Sequence, residues 1–248
     1  MKILIIRHAE PDYKNNTLTK KGFKEADLLG KYYKDKQIDY IYCSPLNRAK
    51  YTADGLKKYK PNAPIEYCDF LREIYVGIDL PYAKNHINWD LRPSYLDSDD
   101  RLFNEKEWLN VESFNKQELR DKFEGLKKGV YEILEKHGYK HNGRYFEVLK
   151  PNHDTICFVC HFGLESHLLA LLLHTSPIAL SNYTVAKPSS VSTLCSEERE
   201  KGKAIFRLNE FGNTSHLEYF NEEPSFMARF VECFDDEGEN IDEFDNPD

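Results

Sequence analysis

The side chains most able to do chemistry together in this sequence are two arginines and two histidines from three separated segments. They are Arg7, His8, Arg48 and His161. Gathered at one place, these groups would repel one another unless an anion occupied their centre. A phosphoryl group suits them best, because each guanidinium can present a planar fork of N–H groups to its oxygens and a neutral imidazole can attack phosphorus. The composition of the cluster therefore predicts phosphoryl-transfer chemistry.

Each member of this cluster has a predicted role. His8 would attack phosphorus in line, and His161 would neutralise charge on the equatorial oxygens. The helix start after Ser44 and the backbone around Phe162 and Gly163 would add N–H donors. With that much positive charge in place, no metal ion or other cofactor is expected.

The remaining requirement is an acid for the departing alcohol. Glu73 is the leading candidate for this role. Spacing alone leaves an alternative open, in which Glu73 is a surface carboxylate paired with Arg72.

Strands alternate with helices along the chain, which predicts an α/β fold, a three-layer α/β/α sandwich with a mostly parallel central sheet. Predicted strands cover residues 2–6, 39–43, 64–67 and 155–160, with a closing hairpin at 191–195 and 204–208. Predicted helices run from a Thr19 cap to 34, from 46 to 59 after a Ser44 cap, from 116 to 137 and from 164 to 174. Because ligands bind beyond the carboxyl ends of such strands, the polar clusters should meet at one edge of the sheet.

The domain organisation is predicted from changes in pattern. Residues 1–232 are expected to form one domain, in which the aromatic, weakly periodic stretch 78–115 is a capping insertion near the pocket. Residues 233–248 carry eight acidic side chains and no Lys or Arg, which predicts a flexible tail. The net charge of −8 is thus that of the tail, and the rest of the chain is balanced.

Several classes of protein are disfavoured by composition. The sequence contains no stripe of basic residues of the kind that binds nucleic acid, so a nucleic-acid partner is not expected. The longest apolar run, 168–173, is far below the roughly 20 residues of a membrane helix, and no secretory signal precedes the first strand, so a cytoplasmic location is expected. Cys157 and Cys160 have a redox-like or zinc-like spacing but lie three apart on a predicted strand, which places their sulfurs on opposite faces. They are interpreted as buried structural thiols.

Other phosphate chemistries fit the sequence less well. No GxxxxGK[ST] loop is present. Cys43 is one residue too close to Arg48 for the phosphate loop of a cysteine phosphatase. A metal phosphatase would need a ligand set that Arg7 would oppose. That set is His8, Glu10, Asp12, His161 and His167.

At these residues the chain resembles the histidine phosphatase superfamily, in its phosphoglycerate mutase-like branch. Residues 7–10 (RHAE) resemble the RHGE motif, and 18–26 (LTKKGFKEA) resemble LTxxGxxQA. Residues 44–53 (SPLNRAKYTA) match SPLxRAxxTA, and 71–77 (LREIYVG) are similar to the LxExxxG stretch that bears the family's acid. His161 stands where the second catalytic histidine is expected.

The resemblance implies a phosphohistidine intermediate on His8 and a small phosphorylated metabolite as substrate. The predicted phosphate and substrate contacts are Arg7, Arg48, Asn15, Thr17, Arg72, Phe162 and Gly163. The ESxWN continuation of glycolytic mutases is absent after Glu10, and Ala9 and Phe162 replace glycines of the family pattern. A metal-independent phosphatase is the first hypothesis. Mutase-type phosphotransfer and a non-catalytic phospholigand-binding module remain as alternatives, and the oligomeric state is not predicted.

Overall fold

The computed structural model describes residues 1–227 and contains twelve strands and seven α-helices within that range. The strands are β1 (Lys2–Arg7), β2 (Pro11–Asp12), β3 (Thr17–Leu18), β4 (Tyr40–Cys43), β5 (Ile65–Tyr67), β6 (Ile78–Leu80), β7 (Ala83–His86), β8 (Tyr139–Asn142), β9 (Tyr145–Val148), β10 (Thr155–Cys160), β11 (Val191–Glu200) and β12 (Lys203–Asn213). The helices are α1 (Lys20–Tyr33), α2 (Asn47–Tyr59), α3 (Pro93–Leu96), α4 (Gln117–Lys136), α5 (Phe162–Leu173), α6 (Pro177–Tyr183) and α7 (Ser215–Glu218).

Eight strands form one central sheet in the order β5-β4-β10-β1-β11-β12-β9-β8. The three pairings from β5 to β1 are parallel, and the four from β1 to β8 are antiparallel. The predicted α/β class is confirmed, but the sheet is mixed rather than mostly parallel. The physical reason is that β11 returns beside β1 in the opposite direction, and two hairpins then extend the sheet in antiparallel fashion.

Helices cover both faces of this sheet. Leu4 and Ile6 of β1 pack in a core cluster with residues of α1 and α2. Ile3 and Ile5 point to the other face, because successive side chains of a strand alternate, and they pack in a larger cluster with residues of α4 and α5. The predicted three-layer sandwich is therefore observed.

The two cysteines of β10 follow the same alternation. Cys157 belongs to the cluster on the α1 and α2 side, and Cys160 to the cluster on the α4 and α5 side. Burial raises the pKa of both thiols, as it does for Cys43 at the end of β4. The sulfurs of Cys157 and Cys160 thus cannot share a ligand, as the spacing predicts. Within residues 1–227 all the cysteines are free.

The stretch 78–115 is more ordered than its weak periodicity predicts. It contains the β6–β7 hairpin, α3 and three short 3₁₀ turns. Its Leu102, Trp108 and Phe114 are buried in the same cluster as α4 and α5, so it packs on the main body. The predicted domain boundaries stay a prediction, and the acidic stretch 233–248 lies outside the described residues.

Two local predictions near helix starts have different outcomes. Thr19 caps α1, since its side chain accepts a hydrogen bond from the Gly22 N–H at 3.0 Å. The predicted Ser44 cap and helix start at residue 46 are wrong. Helix α2 begins at Asn47 with Leu46 at its cap position, and Ser44 has a different partner, described below.

None of the helices formed by residues 1–227 is both long enough and apolar enough to cross a bilayer.

Candidate active site

The residues predicted to do chemistry follow three adjacent strands. β4, β10 and β1 lie side by side and parallel, so their carboxyl ends open at the same edge of the sheet. Ser44 follows β4, His161 follows β10, and Arg7 ends β1 just before His8. The imidazole rings of His8 and His161 come together there, with their centroids 5.2 Å apart.

His8 is held in the form that a nucleophile requires. Its Nδ1 lies 2.8 Å from the Ala9 carbonyl oxygen, which can only accept, so Nδ1 carries the proton and Nε2 keeps its lone pair. Burial lowers the pKa of His8 well below the ordinary histidine value, and the charges of Arg48 and Arg7 lower it further. The ring is therefore neutral near pH 7.

His161 is oriented by Ser44, a contact that spacing did not predict. The Ser44 Oγ lies 2.8 Å from His161 Nε2, and it also accepts a hydrogen bond from the Leu46 N–H at 3.3 Å. The hydroxyl proton is therefore available to donate to Nε2, which leaves the proton of a neutral ring on Nδ1. His161 Nδ1 is buried and has no partner within the described chain. It can donate to a bound oxyanion.

The two arginines also keep unused donors. Arg7 is buried, with Nη1 donating to the Ala186 carbonyl at 2.6 Å, and its guanidinium carbon lies 5.5 Å from the Phe162 ring centroid. The guanidinium carbon of Arg48 is 5.4 Å from the Tyr13 ring centroid. The Nε atoms of both arginines are buried without a hydrogen-bond partner among residues 1–227. Unpaired buried donors of this kind fit an anionic ligand.

Glu73 is held at the start of α5 rather than at the surface. Its Oε1 accepts from the Leu164 N–H at 2.7 Å, and its Oε2 accepts from the Gly163 N–H at a longer 3.3 Å. Burial raises the pKa of Glu73, while the charges of Arg48 and Arg7 and these N–H donors act in the opposite direction. Because Oε2 has the weaker bond, it is the oxygen better placed to carry a proton. The surface pairing with Arg72 does not occur, since Arg72 instead pairs with Asp69 at 2.6 Å.

A second buried carboxyl group lies near Arg7. Glu165, one turn into α5, accepts a hydrogen bond from the Ser192 hydroxyl at 2.6 Å, and burial raises its pKa to about 7. Its interaction with Arg7 raises the pKa of that guanidinium, whereas burial lowers it. No sequence pattern marks Glu165, because an acidic residue in an apolar helix can equally face solvent at the helix edge.

The indole of Trp89 lies near Glu73, on the side of Gly163. A Cβ built on Gly163 would lie 2.7 Å from Glu73 Oε1 and 2.7 Å from Trp89 Cζ3, so any larger residue here would displace the carboxylate or the indole. The ring of Tyr75 lies edge-on to Trp89, with centroids 6.3 Å apart. Trp89 comes from the insertion, which explains why no motif marked it.

Three predicted contacts have their observed partners outside the histidine cluster. Asn15 is exposed and bonds to Asp12 through its backbone and its side chain. Thr17 pairs with Asp12 across the β2–β3 hairpin, and Asp12 precedes Tyr13, whose ring lies near Arg48. Arg72 is half exposed and paired, although its charge contributes to lowering the pKa of His161. The roles of these three residues stay predictions.

His167 belongs to the core and not to a metal site. Its Nδ1 donates to the Gly163 carbonyl at 2.7 Å, and its ring lies edge-on to Trp108 and Phe123. Burial lowers its pKa to about 4. Within residues 1–227 no three His, Cys, Asp or Glu side chains are grouped to hold a metal ion.

The Ser44 contact gives a test of how His161 is positioned. We expect Ser44→Ala to lower kcat/KM for a phosphomonoester roughly tenfold, because Nε2 loses its donor and the ring is no longer confined to one tautomer. The pH profile should change as well, because the hydroxyl that favours the neutral form of His161 is gone. Ser166→Ala, which removes a buried hydroxyl bonded within α5, is the matched control. Equal effects of the two variants on rate and profile would contradict a positioning role.

The family of the chain is decided by a sequence comparison. The model of the histidine phosphatase superfamily (branch 1) matches residues 3–210, which includes each residue of the cluster. The chain belongs to this superfamily. The resemblance drawn from residues 7–10, 44–53 and 71–77 is thereby confirmed.

Curated relatives of this histidine phosphatase superfamily member match only part of it. Two are probable phosphatases of Schizosaccharomyces pombe. One is 31% identical over 101 residues, covering 36% of this chain and 48% of the relative. The other is 33% identical over 84 residues, covering 30% of this chain and 29% of the relative. The matches thus span about half or less of these proteins' length.

Solved structures share the fold over most of the chain. A phosphoserine phosphatase from Entamoeba histolytica, in complex with 3-phosphoglyceric acid, has a TM-score of 0.56 at 17% identity and covers 87% of this chain and 98% of its own. The α-ribazole phosphatase from Shigella flexneri has a TM-score of 0.55 at 18% identity, with 86% and 97% covered. A mycobacterial glucosyl-3-phosphoglycerate phosphatase in complex with VO₃ has a TM-score of 0.53 at 19% identity, with 85% and 98% covered. At these identities the likeness concerns the fold alone.

Proposed function

We propose that this protein is a metal-independent phosphatase that hydrolyses a small phosphomonoester through a phosphohistidine on His8. The observation that carries the proposal is the neutral His8, close to the charges of Arg7 and Arg48. Among residues 1–227, His8 Nε2 has no hydrogen-bond partner and the buried Nε donors of both arginines are unpaired. Such an arrangement combines a nucleophile with fixed positive charge for the phosphoryl oxygens.

In the first step, His8 Nε2 attacks phosphorus and the bond from phosphorus to the ester oxygen breaks. Glu73, protonated at Oε2, gives its proton to that oxygen, so the alcohol leaves neutral. Arg7, Arg48 and the Nδ1–H of His161 stabilise the negative charge on the other three oxygens. The products are the free alcohol, the phosphohistidine and the Glu73 carboxylate.

In the second step, a water replaces the alcohol. The Glu73 carboxylate takes a proton from this water as it attacks phosphorus, and the bond from phosphorus to His8 Nε2 breaks. Inorganic phosphate leaves, and both His8 and the Glu73 acid are restored. The same carboxyl group thus serves as acid and then as base, which its contact with the start of α5 permits in both forms.

The charge of the site supports metal independence. The two guanidinium groups supply the charge that a divalent ion would otherwise provide, and both would repel such an ion beside His8. The solved relatives include proteins named as phosphatases, one of them in complex with a phosphorylated acid, which supports the substrate class. The cytoplasmic location stays a prediction.

The test is phosphate release from a panel of phosphorylated metabolites and from an aryl phosphate, with and without a chelator. We expect release that a chelator leaves unchanged, with a phosphoenzyme that is stable in base and labile in acid. Isomerisation dependent on 2,3-bisphosphoglycerate, without net phosphate release, would favour the mutase alternative. Tight phosphate binding without turnover of any ester would favour the binding module.

A further inference from the structure

The position of Trp89 restricts which alcohol can occupy the candidate pocket. The indole edge and the Glu73 carboxylate lie against the same point above Gly163, each 2.7 Å from where a Cβ would be. An ester oxygen that accepts a proton from Glu73 must lie within hydrogen-bond distance of that carboxylate. The atoms bonded to this oxygen then lie near the indole edge, because Glu73 Oε1 and Trp89 Cζ3 are each 2.7 Å from that one point.

Trp89 is not explained as a core residue. It is only partly buried, and it belongs to none of the hydrophobic clusters formed by residues 1–227, whereas the other tryptophan, Trp108, is 1% exposed within the largest cluster. The ring of Tyr75 stands edge-on beside it. A partly exposed indole next to a catalytic carboxyl group is a surface on which a ligand can pack.

We propose that Trp89 is a specificity-determining residue and that the preferred substrate is the phosphate ester of an alcohol bearing a flat, apolar ring close to the ester oxygen. This rests on the proposed function and adds the substrate class. A planar ring can lie on the indole or against its edge and gain contact over its whole face, and a flexible chain loses more rotational freedom in making the same contact.

The experiment compares two alkyl esters of similar carbon content, benzyl phosphate and n-hexyl phosphate. Both alcohols need a proton to leave, so both depend on Glu73 equally. In the unaltered protein we expect kcat/KM for the benzyl ester to exceed that for the hexyl ester by about tenfold. Trp89→Ala should reduce the ratio to about threefold or less, and Trp89→Phe should keep most of it.

The matched control is Phe103→Ala, which removes a 38% exposed ring from the same insertion. It should leave the ratio unchanged. If Trp89→Ala does not fold, the non-hydrolysable benzylphosphonate and hexylphosphonate provide a second measurement. The benzyl compound should bind more tightly to the unaltered protein and produce the larger change in tryptophan fluorescence.

Equal kcat/KM for the two esters in the unaltered protein, or a ratio that persists in Trp89→Ala, would overturn the ring preference and leave the phosphatase proposal intact. Failure to hydrolyse either ester would instead contradict the proposed function. In that case, tighter binding of benzylphosphonate than of hexylphosphonate would still support the ring preference. Equal binding of the two would overturn the ring preference as well.

Discussion

Replacement of His8 by alanine is expected to lower turnover of any phosphomonoester about 10⁴-fold or more, because the covalent route disappears with the nucleophile. The His8 side chain makes its hydrogen bond to the carbonyl of the next residue, so its loss should not unfold the protein. Arg7 and Arg48 remain in place to bind the phosphoryl group. The variant should therefore bind substrate while failing to release phosphate.

The measurement is steady-state phosphate release together with acid- and base-quench labelling from a radioactive substrate. The unaltered protein should show a base-stable label and His8→Ala none. His153→Ala, which removes an exposed histidine at the opposite end of β10, should retain full activity and label. A His8→Ala protein that turns over at an undiminished rate would exclude the proposed nucleophile.

Replacement of Glu73 by glutamine is expected to lower kcat/KM for an alkyl phosphate by about 10²- to 10⁴-fold, because the amide cannot donate a proton to the alkoxide. An aryl phosphate whose phenolate leaves without a proton should still phosphorylate His8 rapidly. The phosphoenzyme should then persist, since the amide also cannot accept a proton from water. Rapid-mixing experiments should show a burst of one phenolate per active site, followed by slow turnover.

The pH profile provides an independent measure of the same group. Glu73 must be protonated to act as acid, and burial raises its pKa, so kcat/KM for an alkyl phosphate should fall only as the pH rises through that raised value. His8 must be neutral, and its pKa is lowered, so the acid limb should lie well below the ordinary range of histidine. Glu73→Gln should abolish the alkaline limb.

Glu132→Gln, on the exposed surface of α4, is the control for loss of a carboxylate. This variant should change neither kcat/KM nor the acid or alkaline limb of the pH profile. An alkaline limb that survives in Glu73→Gln would show that another acid serves the leaving group, and the buried Glu165 would then be the first residue to examine.

The parts of the fold that depend on local pattern were predictable. Thr19 marks its helix because a hydroxyl before an amphipathic run satisfies a free N–H. The spacing of Cys157 and Cys160 predicts opposite faces, because successive side chains of a strand alternate in direction. The edge of the sheet that holds the candidate site was predictable for a related reason, because parallel strands with polar residues just past their ends bring those residues together.

The features that the sequence did not predict depend on contacts between segments that are distant along the chain. Strand β11 pairs antiparallel with β1, and the hydrophobic pattern of neither strand indicates this direction. Ser44 has the residue type and position of a helix cap, and only the folded sheet shows that its hydroxyl also meets His161. Trp89 has no periodic context at all. The β8–β9 hairpin, by contrast, had a usable signal in Asn142-Gly143 between aromatic-rich segments, with Gly143 at φ +65°.

Two buried thiols next to the candidate site bear on how the protein responds to oxidation. Cys43 and Cys160 immediately precede Ser44 and His161, yet both are fully buried with raised pKa values. Peroxide and disulfide reagents attack the thiolate, a form that these two cysteines scarcely populate. The proposed nucleophile is an imidazole nitrogen. We therefore expect oxidising conditions that inactivate phosphatases with a cysteine nucleophile to leave the activity of this protein unchanged.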